Sequence, residues 1–323
     1  MGADVSKLTL DIHCYGQLEC MTISNDIKGY KKLLQWIKKQ ISTDFSSVIV
    51  VMEYTGIYTY SFERFLHEHK IDYVKRPALD IKRSAGIKRG KTDKADAMMI
   101  SRYGWQRREE LKPMKPISEV QQQLQQLMTH RDKLVADKAS YQSRLKELKG
   151  QMAEKLHLKI VESTEYVMQV MEEEINKIKV AIEDLMNGEE NIQTNYNLIK
   201  SVTGVGFANA IHMLIATENF ARFTDARKFA CYCGVAPFEY ESGSSIRGKT
   251  KTSHLANKKI KSLLTMAAIS AINHDLELKI KYEEKIKTGK AKMVALNIIR
   301  FKLIERIFAV IKRQSPYILS QAA

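Results

Sequence analysis

The chain has 323 residues, which is long enough for two or three domains that each bury a core of their own. Its 52 Lys and Arg residues against 37 Asp and Glu residues leave a net charge of +15, which indicates a polyanionic partner and favours nucleic acid over a membrane surface. The sequence has no run of about 18 apolar residues and no signal-peptide core, so we expect neither a membrane protein nor a secreted one, but a protein of the cytoplasm.

The cysteines and histidines give no sign of a zinc site. Cys231 and Cys233 are one residue too close for a CxxC pair, and the eight histidines are scattered along the chain. We interpret all four cysteines as structural thiols in a reducing compartment.

The first part of the chain alternates between strand and helix patterns. Residues 2–12 alternate apolar and polar side chains and predict one strand, with Asp4 near its start. An amphipathic helix over 27–41 follows, and the dense apolar run 47–52 predicts a buried central strand that ends on Glu53. A carboxylate at the C-terminal end of a buried strand is a frequent functional position in open α/β sheets.

A basic loop follows the next predicted helix, over 60–69, and the next predicted strand, over 71–74. Its positive side chains would suit contacts with a nucleic-acid backbone. These candidate contacts are Lys82, Arg83, Lys88, Arg89 and Lys91.

Two aspartates open the helix that follows this loop. Thr92 is a good N-cap for a helix over 93–102, on which Asp93 and Asp96 stand three residues apart and lean toward the same side. A shared divalent cation would relieve their repulsion, and hard oxygen ligands suit Mg²⁺ or Mn²⁺. The alternative is a solvated helix N-terminus, where aspartates interact favourably with the helix dipole.

Together these elements predict an α/β domain over residues 1–115 that gathers four acids. Such a set fits a two-metal phosphodiester site, in which one ion activates the attacking oxygen and the other stabilises the leaving oxygen. The four candidates are Asp4, Glu53, Asp93 and Asp96.

A long helical region is predicted next, over 116–190. Between 117 and 187 there is no proline, and apolar side chains recur at spacings of three and four. This pattern predicts long helices in an antiparallel or an intermolecular coiled coil, and hence a homo-oligomer. The lysines on its polar face fit either a solvated surface or contact with nucleic acid.

The last region, 191–323, is predicted to be mostly helical. Residues 198–208 predict a helix, a glycine turn and a second helix. Gly204 and Gly206 would let backbone N–H groups approach a phosphate, or they would simply form a turn between two packed helices.

A short, basic, glycine-flanked loop is predicted over 238–249. Helices over 255–274 and 292–312 follow, and we interpret the apolar stripe of the second one as core packing. The candidate nucleic-acid contacts in and beside the loop are Arg247, Lys249 and Lys251.

Several motifs, in this order, resemble those of one family over nearly the whole chain. The N-terminal ones are GADVSK at 2–7, EYTGIY at 53–58 and KTDKADA at 91–97, and the C-terminal ones are IKSVTGVG at 199–206, GVAP at 234–237 and ESG at 241–243. They resemble motifs of the DEDD insertion-sequence transposases of the IS110 group, which are relatives of the Piv-type DNA invertases.

The resemblance implies a RuvC-like, RNase-H-type N-terminal domain that binds Mg²⁺ or Mn²⁺ through the four acids. It also implies a C-terminal transposase domain with a serine nucleophile, for which Ser242 is the matching position. Ser244 and Ser245 lie close by, but Ser242 is the serine that directly precedes Gly243 in the family pattern. Members usually have a few more residues before the first acid than the three found here, so we expect either a trimmed start or one set too late in the sequence, with a first strand that is weakly held.

The resemblance further implies a site-specific DNA recombinase that moves an insertion sequence through a transient serine–DNA linkage. Its partners would be double-stranded DNA, a structured guide RNA from the element, and further copies of the chain in a dimer or tetramer on the bacterial nucleoid. Two other functions remain open: a hydrolytic two-metal nuclease of the junction-resolvase kind, and a non-catalytic nucleic-acid-binding scaffold. Ser242 would be dispensable in the first, and no metal would be needed in the second.

Overall fold

The computed structural model describes residues 1–84, 86, 92–151, 154–242, 246–252 and 256–319, with side chains for all of these except 151, 154–157, 238–242 and 246–251. The chain divides into two compact units, Met1–Ile117 and Ser118–Ala323. None of the helices within the described ranges is long and apolar enough to cross a lipid bilayer.

The first unit is a mixed α/β domain, as its alternating sequence pattern predicts. Its strands and helices are, in chain order, β1 (Gly2–Val5), β2 (Thr9–His13), β3 (Cys20–Ser24), α1 (Ile27–Gln40), β4 (Ile49–Glu53), α2 (Tyr60–Glu68), β5 (Asp72–Arg76), α3 (Ala78–Ser84) and α4 (Asp93–Gln106). The five strands form one sheet in the order β3-β2-β1-β4-β5. Strand β2 is antiparallel to both of its neighbours, β1 and β3, whereas β4 runs parallel to both β1 and β5.

The prediction of one strand over 2–12 is wrong, because the chain turns back between β1 and β2. The Ser6 hydroxyl donates to the Thr9 carbonyl at 2.9 Å and accepts from the Thr9 amide at 3.0 Å, which closes the turn. Leu8 keeps the apolar alternation going through the turn although it is 75% exposed, so the sequence pattern does not show the break. The predicted basic loop is also partly wrong, since Lys82 and Arg83 lie in the last turn of α3.

The first strand lies in the middle of the sheet, so the prediction that it is weakly held is wrong. Ala3 is fully buried, and the N-terminal ammonium of Met1 donates to the Ile49 carbonyl at 2.8 Å. Gly2 packs so closely on α4 that a Cβ atom there would lie 2.2 Å from the backbone nitrogen of Ser101. This contact sets the distance between β1 and α4.

Two apolar clusters hold the sheet in place. The larger one joins side chains of β1, β2 and β4 to α1 and α2, with Tyr30, Leu33 and Phe62 fully buried. The other packs Val51 and Val74 against Ile100 of α4. The predicted helices over 27–41 and 60–69 and the predicted buried strand ending on Glu53 are confirmed to within one or two residues.

The second unit is mostly helical. Its elements are α5 (Glu119–Gln151), α6 (Glu154–Asn187), α7 (Glu190–Ser201), α8 (Phe207–Thr217), α9 (Ala226–Tyr232), β6 (Pro237–Ser242), β7 (Ile246–Thr252), α10 (Lys258–His274), α11 (Leu276–Lys287) and α12 (Lys292–Arg313). The two longest helices, α5 and α6, pack antiparallel, with ion pairs from Lys138 to Glu172 and, at 2.9 Å, from Lys149 to Glu165. The antiparallel form of the predicted helical pair is therefore present within one chain.

The predicted loop over 238–249 is wrong, because the segment contains the antiparallel pair β6–β7. Its apolar alternation is confined to Phe238 and Tyr240, and the glycine- and serine-rich sequence that follows them favours a loop. The prediction for α12 is confirmed: its apolar stripe lies in the core of this unit, with Ile299, Leu303 and Ile307 fully buried.

Candidate active site

The two central strands of the first unit place two of the predicted acids side by side. Ala3 on β1 pairs with Met52 on the parallel strand β4. Asp4 and Glu53 are therefore the next residues on neighbouring strands. Both side chains are partly buried.

The first turn of α4 carries the other two acids. Thr92 caps this helix as predicted, since its hydroxyl accepts a hydrogen bond from the Ala95 amide at 3.2 Å. Gly2 holds the helix against β1 through close contacts with Ala97 and Ser101. Asp96, directly before Ala97, is partly buried, and Asp93 is exposed.

The pKa of the Asp4 carboxyl responds both to its burial and to the negative charges around it. Burial, followed by the negative charges of Asp96, Glu53 and Asp93 and then that of Asp11, raises this pKa from 3.8 to about 6. All four acids chosen from the sequence therefore contribute to one local electrostatic field. Burial disfavours the charged form of Asp4, and the nearby negative charges disfavour it further.

Asp11 is an acid that the sequence analysis did not select. It lies on β2 directly opposite Asp4, only 7% of it is exposed, and it accepts a hydrogen bond from the Thr22 hydroxyl at 2.5 Å. Directly opposed residues of antiparallel strands point to the same face of the sheet. Recognising the Ser6 turn would have paired Asp11 with Asp4.

The donor set suits a hard divalent ion. In the described part of the chain, no three Asp, Glu, His or Cys side chains lie close enough together to hold a metal ion as they stand. Their chemistry nevertheless fits, because carboxylate oxygens are the ligands of Mg²⁺ and Mn²⁺. The raised pKa of Asp4 also marks negative charge that a bound cation would neutralise.

The basic side chains predicted near the acids are only partly described. Lys82 and Arg83 are exposed in the last turn of α3. Lys88, Arg89 and Lys91 lie outside the described residues. The two exposed cations are available for contact with a polyanion.

The predicted nucleophile lies in the second unit. Ser242 is the last residue of β6, where it pairs with Ile246 of β7; its side chain, like all of Ser244 and Ser245, lies outside the described part. Three predicted basic contacts share β7 at alternate positions, and only their backbone is described: Arg247, Lys249 and Lys251.

The two glycines of the predicted phosphate turn have different surroundings. Gly204, at φ +88°, packs on α10, where a Cβ atom would lie 2.5 Å from the Ala267 carbonyl oxygen. This contact favours the interpretation of a turn between packed helices. Gly206 is the N-cap of α8, and a Cβ atom there would meet no described atom within 4 Å.

Comparison with known proteins gives matches at both ends of the chain. A family model described as "Transposase", for the DEDD transposases of the IS110 type, matches residues 1–151. A second, described as "Transposase IS116/IS110/IS902 family", matches residues 196–283. These ranges contain the N-terminal acidic motifs and the C-terminal glycine and serine motifs, respectively.

Full-length relatives are similar as well. The chain is 25% identical to the "Pilin gene-inverting protein" of Moraxella bovis over 325 residues, which covers 98% of this chain and 97% of that protein. It is 24% identical to the protein of the same name from Moraxella lacunata, with the same coverage. It is also 27% identical, over 37% of its length and 29% of the other's, to the "Insertion element IS110 uncharacterized 43.6 kDa protein" of Streptomyces coelicolor.

Proposed function

Because this chain belongs to the IS110 family of transposases and is a DNA recombinase of that kind, we propose that it exchanges DNA strands through a serine–DNA intermediate at a metal-assisted site. The observation that supports the proposal best is that Asp4 and Glu53 come next to each other on neighbouring strands, where the negative charges of Asp96, Glu53 and Asp93 also act on the Asp4 carboxyl. A negative field of this kind suits a divalent cation, which a non-catalytic scaffold would not need.

In this proposal Asp4, Glu53, Asp93 and Asp96 hold Mg²⁺ or Mn²⁺. When bound, such ions lower the pKa of a coordinated hydroxyl and stabilise the charge of the leaving oxygen. Asp4 and Glu53 lie on neighbouring central strands, so they form the rigid side of the site. Asp93 and Asp96 depend on the position of α4.

Ser242 supplies the nucleophile. As its oxygen bonds to phosphorus, the bond from phosphorus to the departing sugar oxygen breaks, and that oxygen takes up the proton that the serine gives up. Attack by the hydroxyl of another strand reverses the step, joins the strands and frees the serine, so no high-energy cofactor is consumed.

The sheet supports assignment of the first unit to the RuvC-like, RNase-H-type fold. Three antiparallel strands are continued by two parallel ones, and the acids lie on the first strand, on the fourth strand and at the start of a helix packed beside them.

The partners in this proposal are double-stranded DNA, a structured guide RNA and other copies of the chain. The net charge of +15 supports nucleic-acid partners within the bacterial nucleoid. Exposed apolar side chains on α5 and α6 support pairing into dimers or tetramers, because such residues are usually covered. They include Tyr166 at 68%, Val180 at 54% and Leu158 at 51% exposure.

Strand exchange with DNA that contains the element ends tests the proposal. We expect the full-length protein to give rejoined products with Mg²⁺ and none in EDTA, and Glu53→Gln to lower the rate at least a hundredfold. Lys279→Gln, an exposed change on α11, is the control. Undiminished cleavage in EDTA would refute the metal site. Cleavage by Ser242→Ala without rejoining would show a hydrolytic nuclease.

A further inference from the structure

Arg300 on α12 is a buried cation without a matching anion among the side chains that the structure describes. Only 4% of it is exposed, and its Nη1 donates to the Asn297 side-chain oxygen at 3.1 Å. Its Nε has no hydrogen-bond partner, and no carboxylate among the described side chains pairs with it. A buried guanidinium in this condition is destabilising, because it has lost its hydration without gaining a counter-charge.

The same helix shows the ordinary way to bury an arginine. Arg306 donates to Asp275, which is 2% exposed, at 2.6 Å and to Glu277 at 2.7 Å. Arg300 therefore differs from Arg306, whose charge is balanced by two carboxylates.

A second cation lies next to Arg300. Lys261, near the start of α10, donates to the Thr252 hydroxyl at 3.3 Å. Burial, and then the positive charge of Arg300, lowers the pKa of Lys261. Two positive side chains are thus held together, and Lys261 has no carboxylate partner among the described side chains either.

A purely structural role does not account for the charge. Asn297 donates to the Val235 carbonyl at 2.6 Å and so fixes the chain just before β6, with Arg300 orienting its amide. A neutral side chain would orient Asn297 equally well without a buried charge. The charge itself therefore needs a ligand.

The location identifies the class of ligand. Thr252 pairs with Pro237 at the open end of the β6–β7 hairpin, and Ser242 pairs with Ile246 at the other end. Helix α10 begins near the Thr252 end, with Asn257 as its N-cap. The N-terminus of a helix favours anions. An arginine fork beside a lysine point charge is the usual combination for phosphate groups.

We propose that Arg300 and Lys261 form an anion site at the base of the β6–β7 hairpin, and that this site holds a phosphodiester group of the bound nucleic acid. The inference rests on the proposed function for the identity of the anion. The anion site would hold the nucleic-acid strand beside the hairpin that carries Ser242. It would position that strand and take no part in the reaction.

The test measures binding of the full-length protein to a duplex DNA and to an RNA of equal length, in EDTA, over a range of salt concentrations. The variants are Lys261→Gln and Arg300→Met, with Lys279→Gln as the charge-matched control. Each site variant should weaken binding about tenfold and reduce the salt slope by about 0.7 to 0.9, the value for one phosphate. The control should stay within about twofold of the wild type.

Thermal unfolding of the free protein distinguishes an anion-binding arginine from a structural one, because replacing a structural arginine would lower the stability. Removing an uncompensated buried charge should leave Arg300→Met as stable as the wild type or more stable. If Arg300→Met does not fold, Lys261→Gln alone decides the question. The polymer for which the slope falls, DNA or RNA, is the source of the phosphate.

The inference would be overturned if both variants bound both polymers with the affinity and salt slope of the wild type. It would also be overturned if they lost no more affinity than the control variant does. Binding in EDTA does not require strand exchange. If both variants lose binding as expected but the wild type does not recombine DNA, the proposed function alone is contradicted. If the wild type recombines DNA but neither variant loses binding, the anion site alone is contradicted.

Discussion

Gly2 of β1 lies directly against the backbone of Ser101 on α4. A Cβ atom at Gly2 would come within 2.2 Å of the Ser101 nitrogen and 2.5 Å of the Ala97 carbonyl oxygen. This contact sets how closely the helix that carries Asp93 and Asp96 approaches the strand that carries Asp4. The geometry of the acids therefore depends on a residue that has no side chain.

Gly2→Ala should destabilise the first unit, because strand and helix backbones must move apart to admit the methyl group. We expect a loss of about 1–3 kcal/mol, measured by thermal or urea unfolding, together with weaker metal-dependent activity. Gly150→Ala is the matched control: that glycine is exposed within α5, so the change should stabilise by about 0.5–1 kcal/mol. Identical unfolding curves for Gly2→Ala and wild type would contradict the contact.

The raised pKa of Asp4 predicts a pH-dependent effect of its removal. A carboxyl whose pKa is about 6 in the folded protein and 3.8 when unperturbed favours folding below pH 4 and loses that contribution as the pH rises through 6. In EDTA at pH 7.5, Asp4→Asn should therefore be more stable than wild type, by about 1 kcal/mol after allowance for solvent screening. The gain should shrink toward zero by pH 4, and a gain that is independent of pH would rule out this cause.

Divalent ions should stabilise the wild type by neutralising the same charges. We expect Mg²⁺ or Mn²⁺ to raise the melting temperature, with a gain of about 2.7 kcal/mol at a concentration a hundred times the dissociation constant. Asp93→Asn should reduce this gain, whereas Asp80→Asn, an exposed change on α3, should leave it intact. An equal response in all three proteins would mean that the ions bind elsewhere.

A buried ion pair supports the strand next to Glu53. Lys75 of β5 donates to the two Glu63 carboxylate oxygens at 2.9 and 2.8 Å, and its ammonium lies 5.6 Å from the centre of the Tyr54 ring. Lys75→Met should cost about 3–5 kcal/mol in denaturant unfolding, because it leaves Glu63 buried without its partner. The double variant Glu63→Leu, Lys75→Met should recover most of that loss, and a fully additive loss would show that the pair is not coupled.

Sequence periodicity recovered the long helices and the buried strand, because burial of one face imposes a regular spacing on the apolar residues. It failed at Ser6, where a hydroxyl closes a turn that no glycine or proline marks and Leu8 continues the alternation. With that turn missed, Asp11 was not placed opposite Asp4. The strands β6 and β7 are hard to recognise because the apolar alternation of β6 is confined to Phe238 and Tyr240 and β7 is mostly charged and polar.

The site shows the same limit. The four acids could be chosen from motifs and chemistry, but their closeness depends on strand register and on the Gly2 contact, which are tertiary features. Arg300 cannot be picked out from the sequence, because a single polar residue within the apolar stripe of α12 has no period of its own. Only its burial and its unpaired Nε set it apart.

The most direct test of the central claim is to trap DNA on the protein. Full-length protein, DNA containing the element ends and Mg²⁺ are mixed and denatured, and the attached residue is mapped by peptide mass spectrometry. We expect an adduct at Ser242 that Ser242→Ala and EDTA abolish and that Ser244→Ala and Ser245→Ala retain. An adduct of undiminished yield in Ser242→Ala, or one that forms equally well in EDTA, would contradict the claim.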